Sequence, residues 1–160
     1  MGSGIAQVAA QSGHTVWLFD TNDAALDKAQ TSLKKIMARL VEKGRKTKEE
    51  VDAIISRVHT TTDYHSFQNS GLVIEAIIEN LDIKKKVFSS LESVVSKDCI
   101  LASNTSSLSI ASIAASCDTP ERVVGIHFFN PAPLMPLVEI VPAVQTSAEN
   151  LQKAKDLIDS

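Results

Sequence analysis

Gly2-Ser3-Gly4-Ile5-Ala6-Gln7-Val8-Ala9-Ala10-Gln11-Ser12-Gly13-His14-Thr15-Val16-Trp17-Leu18-Phe19-Asp20 starts on closely spaced glycines, runs through small and apolar residues, breaks at Gly13-His14 and closes an apolar run on an acid. The pattern predicts a helix from Gly2 to about Ser12, a turn, and a strand over Thr15–Asp20. Helix, turn and acid-terminated strand form the second half of a dinucleotide-binding βαβ unit. In such a unit glycines let the backbone approach a pyrophosphate at a helix N-terminus, and the closing acid takes the ribose hydroxyls. Gly2 stands where the third glycine of G-x-G-x-x-G would, and Asp20 follows at the right distance. Ordinary helix packing at Gly2 and a capping carboxylate at Asp20 are the competing readings. Because no strand-length run precedes Gly2, the unit is expected to be truncated at its N-terminus.

Outward from this stretch, short apolar runs alternate with segments of helical period, as in an α/β protein with a mostly parallel sheet. The expected strands are Thr15–Asp20, Leu72–Ala76, Ile100–Ser103, Val123–His127 and Leu137–Pro142, with a weaker one at Val58–Thr61. Most are continuously apolar, as parallel strands covered on both faces are. Leu26, Ala29, Leu33, Ile36, Met37 and Leu40 recur at helical spacing, and Gly44 supplies a stop. Thr47 with Glu50 reads as a capping box for a second helix, making Asn22–Arg57 a helical hairpin. Further helices are expected around Ile83–Val95 and Leu108–Ala115, and after a cap formed by Thr146 with Glu149.

Composition narrows the class. The chain has 160 residues, 44% hydrophobic and 22% charged, which sets one ordinary domain as the expectation and excludes collagen-like or disordered chains. No run reaches the roughly 20 apolar residues of a spanning helix, so a membrane-spanning reading is set aside. A net charge of −3 argues against a general polyanion or nucleic-acid binder. Cys99 and Cys117 have no metal-ligand spacing and read as reduced packing residues, which fits a reducing compartment. His14, His59 and His65 lack ligand partners at metal spacing, so no metal is expected.

Four strings occur in order: Gly2-Ser3-Gly4-Ile5-Ala6-Gln7, Val73-Ile74-Glu75-Ala76-Ile77-Ile78-Glu79-Asn80, Ser103-Asn104-Thr105-Ser106-Ser107-Leu108 and His127-Phe128-Phe129-Asn130-Pro131-Ala132-Pro133. Together they resemble the NAD-binding domain of the L-3-hydroxyacyl-CoA dehydrogenases, 3-hydroxybutyryl-CoA dehydrogenases included, over essentially all 160 residues. The resemblance implies a Rossmann-type doubly wound sheet with a helical-hairpin arm, NAD as cofactor and an acyl-CoA substrate. It implies that His127, Glu139 and Ser106 line the substrate hydroxyl. Gly2, Asp20, Ala76, Glu79, Lys84 and Asn104 are implied on the cofactor side, Asn104 either at the nicotinamide or shaping its turn. Ser106, Lys43 and Asn130 are implied on the substrate side.

The chemistry agrees with the resemblance. Oxidising a secondary alcohol with a nicotinamide requires removal of the hydroxyl proton as hydride leaves the same carbon, and imidazole is suited to take that proton near neutral pH. His127 is the candidate base. Glu139 on the next strand is placed to accept the other ring N–H and fix the tautomer. Ser106 offers a donor and two acceptor sites, although serines in such turns usually cap helices. A carboxylate at Asp20 favours NAD over a 2′-phosphorylated cofactor. From Lys28 to Lys48 stand eight basic residues and one acid, Glu42. Such a run usually marks a solvated helix face, but on the arm it would also attract the phosphates of a CoA.

The resemblance also implies what lies outside the chain: a first strand with two more glycines, and a C-terminal helical domain carrying the dimer contacts. The chain is accordingly expected to be a fragment. The strand ending at Asp20 and Leu72–Ala76 are expected either to leave an open slot or to pair directly. Cytoplasmic placement is favoured, with a mitochondrial matrix enzyme as the eukaryotic counterpart. A sugar-acid dehydrogenase on the same fold and an inactive nucleotide-binding fragment stay open as alternatives.

Overall fold

The computed structural model describes residues 1–160. In chain order the elements are α1 (Gly2–Gln11), β1 (Val16–Phe19), α2 (Asp23–Glu42), α3 (Lys48–Ser56), β2 (Val58–Thr61), β3 (Leu72–Glu75), α4 (Leu81–Glu92), β4 (Ile100–Ser103), α5 (Ile110–Ala114), β5 (Val123–Phe128), β6 (Val138–Pro142) and α6 (Ala148–Asp159). Short 3₁₀ turns occupy Tyr64–Phe67 and Pro120–Arg122. Every expected strand and helix is present. The fold is a mixed α/β, Rossmann-like arrangement.

Local chemistry sets the helix ends. Thr47 Oγ1 accepts from Glu50 N, and Thr47 N donates back to the Glu50 carboxylate at 2.7 Å, completing the capping box. At the end of α2, Gly44 takes φ +63°, a conformation open to glycine at little cost, and its N–H closes on Val41 O. Two expectations are corrected here. Helix α6 is capped by Ser147, whose Oγ accepts from Asn150 N, and not by Thr146. Thr146 Oγ1 is already committed to Val123 O and Ala143 N, which fastens the loop to β5. Helix α5 is shorter than Leu108–Ala115 because Leu108 N is taken by Thr105 Oγ1 and Ser109 supplies the cap.

The strands form two sheets. Parallel β1 and β2 pair Val16 with Val58 through Phe19 with Thr61, and a second sheet has the order β3-β4-β5-β6. Strands β3, β4 and β5 are parallel, whereas β6 runs antiparallel to β5. The strand at Val138–Pro142 is therefore a sheet edge, and its residues alternate between half-buried and exposed at the start of the strand. Strand β4 is covered on both faces: Leu101 joins Phe88, Leu91 and Ile113 on one side, and Ile100 and Ala102 join Ile5, Ile126 and Ala154 on the other. A third cluster of Ala10, Leu33, Met37, Val51 and Ile54 binds the α2–α3 hairpin to α1.

Strands β1 and β3 are not hydrogen bonded to each other. Between them lies an open slot of about 2130 Å³, lined by Val16–Asp20, Leu72–Ala76, α1 and Leu134–Val138. Of the two expected arrangements this is the open one. Direct pairing of β1 with β3 is not observed: β1 pairs with β2 alone, and β3 with β4 alone. No helix is long and apolar enough to cross a membrane.

Candidate active site at the strand ends

His127 sits near the end of β5, directly opposite Glu139 on β6. Opposed residues of an antiparallel pair project from the same face, so the ladder register explains why a spacing of twelve brings them together. His127 Nδ1 lies 2.9 Å from Glu139 Oε2. The imidazole is 19% exposed and the carboxylate 53%. Phe129 packs against the ring at a centroid separation of 4.8 Å. Two residues earlier, a Cβ on Gly125 would lie 3.0 Å from the Ile110 side chain, so glycine there lets α5 close on the strand that carries His127.

The parallel strands β3 and β4 end beside β5 and contribute a polar cluster. Glu75, the last residue of β3, is buried. Its Oε1 accepts from Lys84 Nζ and from Ile77 N, both at 2.6 Å, and its Oε2 accepts from Ser103 Oγ at 2.7 Å. Lys84 is fully buried, and its ammonium also meets Glu79 Oε1 at 3.2 Å and Ile77 O at 3.4 Å. The other oxygen of Glu79 accepts from Thr105 Oγ1 at 2.6 Å and from Ser107 Oγ at 3.1 Å. Burial would raise the Glu79 carboxyl, but the Thr105 and Lys84 hydrogen bonds, the Lys84 charge and Ser107 outweigh it and hold it below the usual carboxylate range.

Three of the four strings quoted from the sequence, those on β3, β4 and β5, therefore meet at one end of the four-stranded sheet. Asn104 N donates to Glu75 O, and Asn104 Oδ1 accepts from Phe128 N at 2.8 Å, tying β3, β4 and β5 together beside His127. Asn104 thereby shapes the turn that follows β4. Ser106 is exposed in the same turn, whose side-chain hydrogen bonds run through Thr105 and Ser107 and bypass it. Asn130 is exposed just beyond β5. Glu75, Ser103 and Thr105 were missed as functional candidates. The available signal was a carboxylate inside the apolar run Leu72–Ala76, which burial obliges to find a cation.

The remaining candidates lie on the slot and the arm. Gly2 opens α1, and a Cβ there would meet Leu18 and Ala76 at ordinary contact distance, 3.9 and 4.0 Å. Asp20 follows β1, and its Oδ1 accepts from Asn22 N at 2.9 Å, so the carboxylate does shape the turn into α2. Gly2, Asp20 and Ala76 all line the slot. Lys43 is exposed at the arm's tip, with Arg45 beside it. Burial pushes the free thiols of Cys99 and Cys117 up to about 11, so both are protonated packing groups at neutral pH.

A family model described as "3-hydroxyacyl-CoA dehydrogenase, NAD binding domain" matches residues 1–160. The chain is 46% identical over 147 residues to a 3-hydroxybutyryl-CoA dehydrogenase of Clostridioides difficile, covering 92% of this chain and 52% of that protein. It is 43% identical over 157 residues to a 3-hydroxyadipyl-CoA dehydrogenase of Escherichia coli K12, covering 98% of this chain and 33% of that protein. A crystal structure of 3-hydroxybutyryl-CoA dehydrogenase from Escherichia coli K12 superposes with TM-score 0.96 at 42% identity, covering 99% of this chain and 34% of the other. The (S)-3-hydroxybutyryl-CoA dehydrogenase of Ralstonia eutropha gives 0.95 at 36%, covering 99% and 56%. The chain spans about half the length of curated relatives such as the clostridial enzyme.

Proposed function

The chain belongs to the 3-hydroxyacyl-CoA dehydrogenase NAD-binding domain family, and from that premise we propose that the protein carrying it interconverts (S)-3-hydroxyacyl-CoA and 3-oxoacyl-CoA with NAD. The observation that carries the reading is the 2.9 Å contact between His127 Nδ1 and Glu139 Oε2. It commits one ring nitrogen to a carboxylate and leaves Nε2 for a substrate proton.

The residues fit the cofactor by the chemistry of their donors and acceptors. Asp20 offers a carboxylate oxygen to ribose hydroxyls, and Gly2, the first residue of α1, lines the slot together with Ala76. NAD, when bound, supplies the hydride acceptor. In the oxidative direction His127 Nε2 takes the C3 hydroxyl proton as hydride leaves C3. Glu139 holds the imidazole in the Nδ1–H tautomer and offsets its positive charge as it forms. Ser106, whose hydroxyl is free of the turn's internal bonds, holds the substrate oxygen. Asn130 contributes a polar group at the same edge. Lys43 and its basic neighbours on α2 and α3 draw the CoA phosphates, which favours an acyl-CoA over a sugar acid.

In the intact protein, His127→Ala is expected to lower kcat by at least about 10²-fold while NADH affinity stays nearly unchanged. Glu139→Gln should slow turnover less and move the pH–rate profile. Normal kcat in both variants from about pH 6 to 9, a span around the imidazole range, would refute the dyad.

A further inference from the structure

The ammonium of Lys84 donates to Glu75 Oε1 at 2.6 Å and to Ile77 O at 3.4 Å, and it pairs with Glu79 Oε1 at 3.2 Å. A fully buried ammonium held this way ties two carboxylates at this edge together. The outer partner is Glu79, whose side chain is 47% exposed and whose second oxygen gathers the hydroxyls of Thr105 and Ser107 on either side of Ser106. The inner partner is Glu75. Its carboxylate accepts from Lys84, Ile77 N and Ser103 Oγ, and its main-chain oxygen accepts from Asn104 N. One buried side chain thus joins the ends of β3 and β4 to the start of α4.

A buried carboxylate with a full set of donors is rigid, and removing its charge leaves the half-exposed Glu79 as the counter-charge of Lys84. The position of Glu79 and of the Thr105–Ser107 turn then depends on Glu75. This cluster sits on the same sheet as His127, where hydride must be exchanged, whereas Asp20 lies at the end of the other sheet. From this geometry we infer that Glu75 is a positioning residue for the nicotinamide half of the cofactor, acting through Lys84 on Glu79 and the Thr105–Ser107 turn. The inference rests on the NAD-dependent reading above.

The test separates the two halves of the cofactor. In the intact protein, NADH and ADP-ribose are titrated by fluorescence and calorimetry against the parent, Glu75→Gln, Lys84→Met and the double variant, with thermal melts of each. Glu75→Gln should weaken NADH about tenfold or more, equivalent to about 1.4 kcal/mol, and leave ADP-ribose within about twofold of the parent, below 0.5 kcal/mol on the same scale. The double variant should bind NADH no worse than Lys84→Met alone, because the two residues act in series. Unchanged NADH affinity in a folded Glu75→Gln protein, equal weakening of both ligands, or additive losses would each overturn the inference. If Glu75→Gln does not fold, Ser103→Ala loosens the same carboxylate without removing its charge, and NADH but not ADP-ribose should still weaken. A parent that binds neither ligand would instead defeat the NAD-dependent reading itself.

Discussion

At the scale of single residues, the site depends on carboxylates in different surroundings. Glu139 is half exposed and bound to an imidazole, Glu79 is half exposed among hydroxyls and an ammonium, and Glu75 is buried with a full complement of donors. Asp20, which lines the slot, is the acid proposed above to meet the ribose. One of its oxygens holds Asn22 N, and a ribose bearing only hydroxyls can donate to the carboxylate whereas a 2′-phosphate is repelled. NADH should therefore bind the intact protein more tightly than NADPH, and Asp20→Asn should narrow the gap. Equal affinities in the parent, measured by fluorescence titration, would remove Asp20 from the cofactor site. Asp20 was singled out by its distance from Gly2, and His127 with Glu139 by the family resemblance. Glu75 and Thr105 were not, because their importance arises from partners 28 and 26 residues away.

At the scale of elements, two structures invite measurement. The turn between α5 and β5 is pinned by Glu92 at the end of α4, which accepts from Asp118 N at 2.7 Å, Thr119 N at 2.9 Å, the Thr119 hydroxyl and Arg122 Nη2 at 3.3 Å. Burial would raise this carboxyl, but the Thr119 hydroxyl, the two main-chain N–H groups and Arg122 outweigh it and hold it below its ordinary value of 4.5. A carboxyl lowered on folding stabilises the native state above its unfolded pKa, and the contribution is lost as pH falls through the folded one. Glu92→Gln should thus cost roughly 2 kcal/mol at neutral pH, on the scale of a charge-assisted hydrogen bond, and less as the pH drops below 4.5. Urea unfolding at several pH values checks both the size and the sign. The second element is the basic α2–α3 arm. Reversing the charge of Lys43 and Lys46 should raise KM for an acyl-CoA in a salt-dependent way and leave NADH binding alone; a salt-independent KM would detach the arm from the substrate.

On the scale of the whole molecule, the chain consists of a two-stranded and a four-stranded sheet facing across an apolar slot. Strands β4 and β5 pair on both edges, and Ile100, Leu101, Val123 and Ile126 are fully buried. Strands β1 and β3 each keep one edge without a strand partner. A backbone group that is buried without a hydrogen bond costs about 1–3 kcal/mol, so water has to reach those edges and local opening there is easier. Amide exchange of the isolated 160-residue chain should accordingly be fastest, among its strands, in Val16–Phe19 and slowest in β4 and β5. Uniform protection across both sheets would show that they unfold as one unit.

What the residues determine by themselves is local. The capping box at Thr47 and Glu50, the positive φ at Gly44, and the apolar runs of β3, β4 and β5 follow from propensities and periodicities spanning a few residues. Helix ends were less legible, since Thr146 bonds to β5 and leaves the cap of α6 to Ser147. The separation of the sheets, the antiparallel edge at β6 and the burial of Lys84 between Glu75 and Glu79 were decided only in three dimensions. Each depends on which distant backbone edge or charge comes within hydrogen-bonding reach once the helices pack. That choice is made by the whole set of contacts and is written in no single segment.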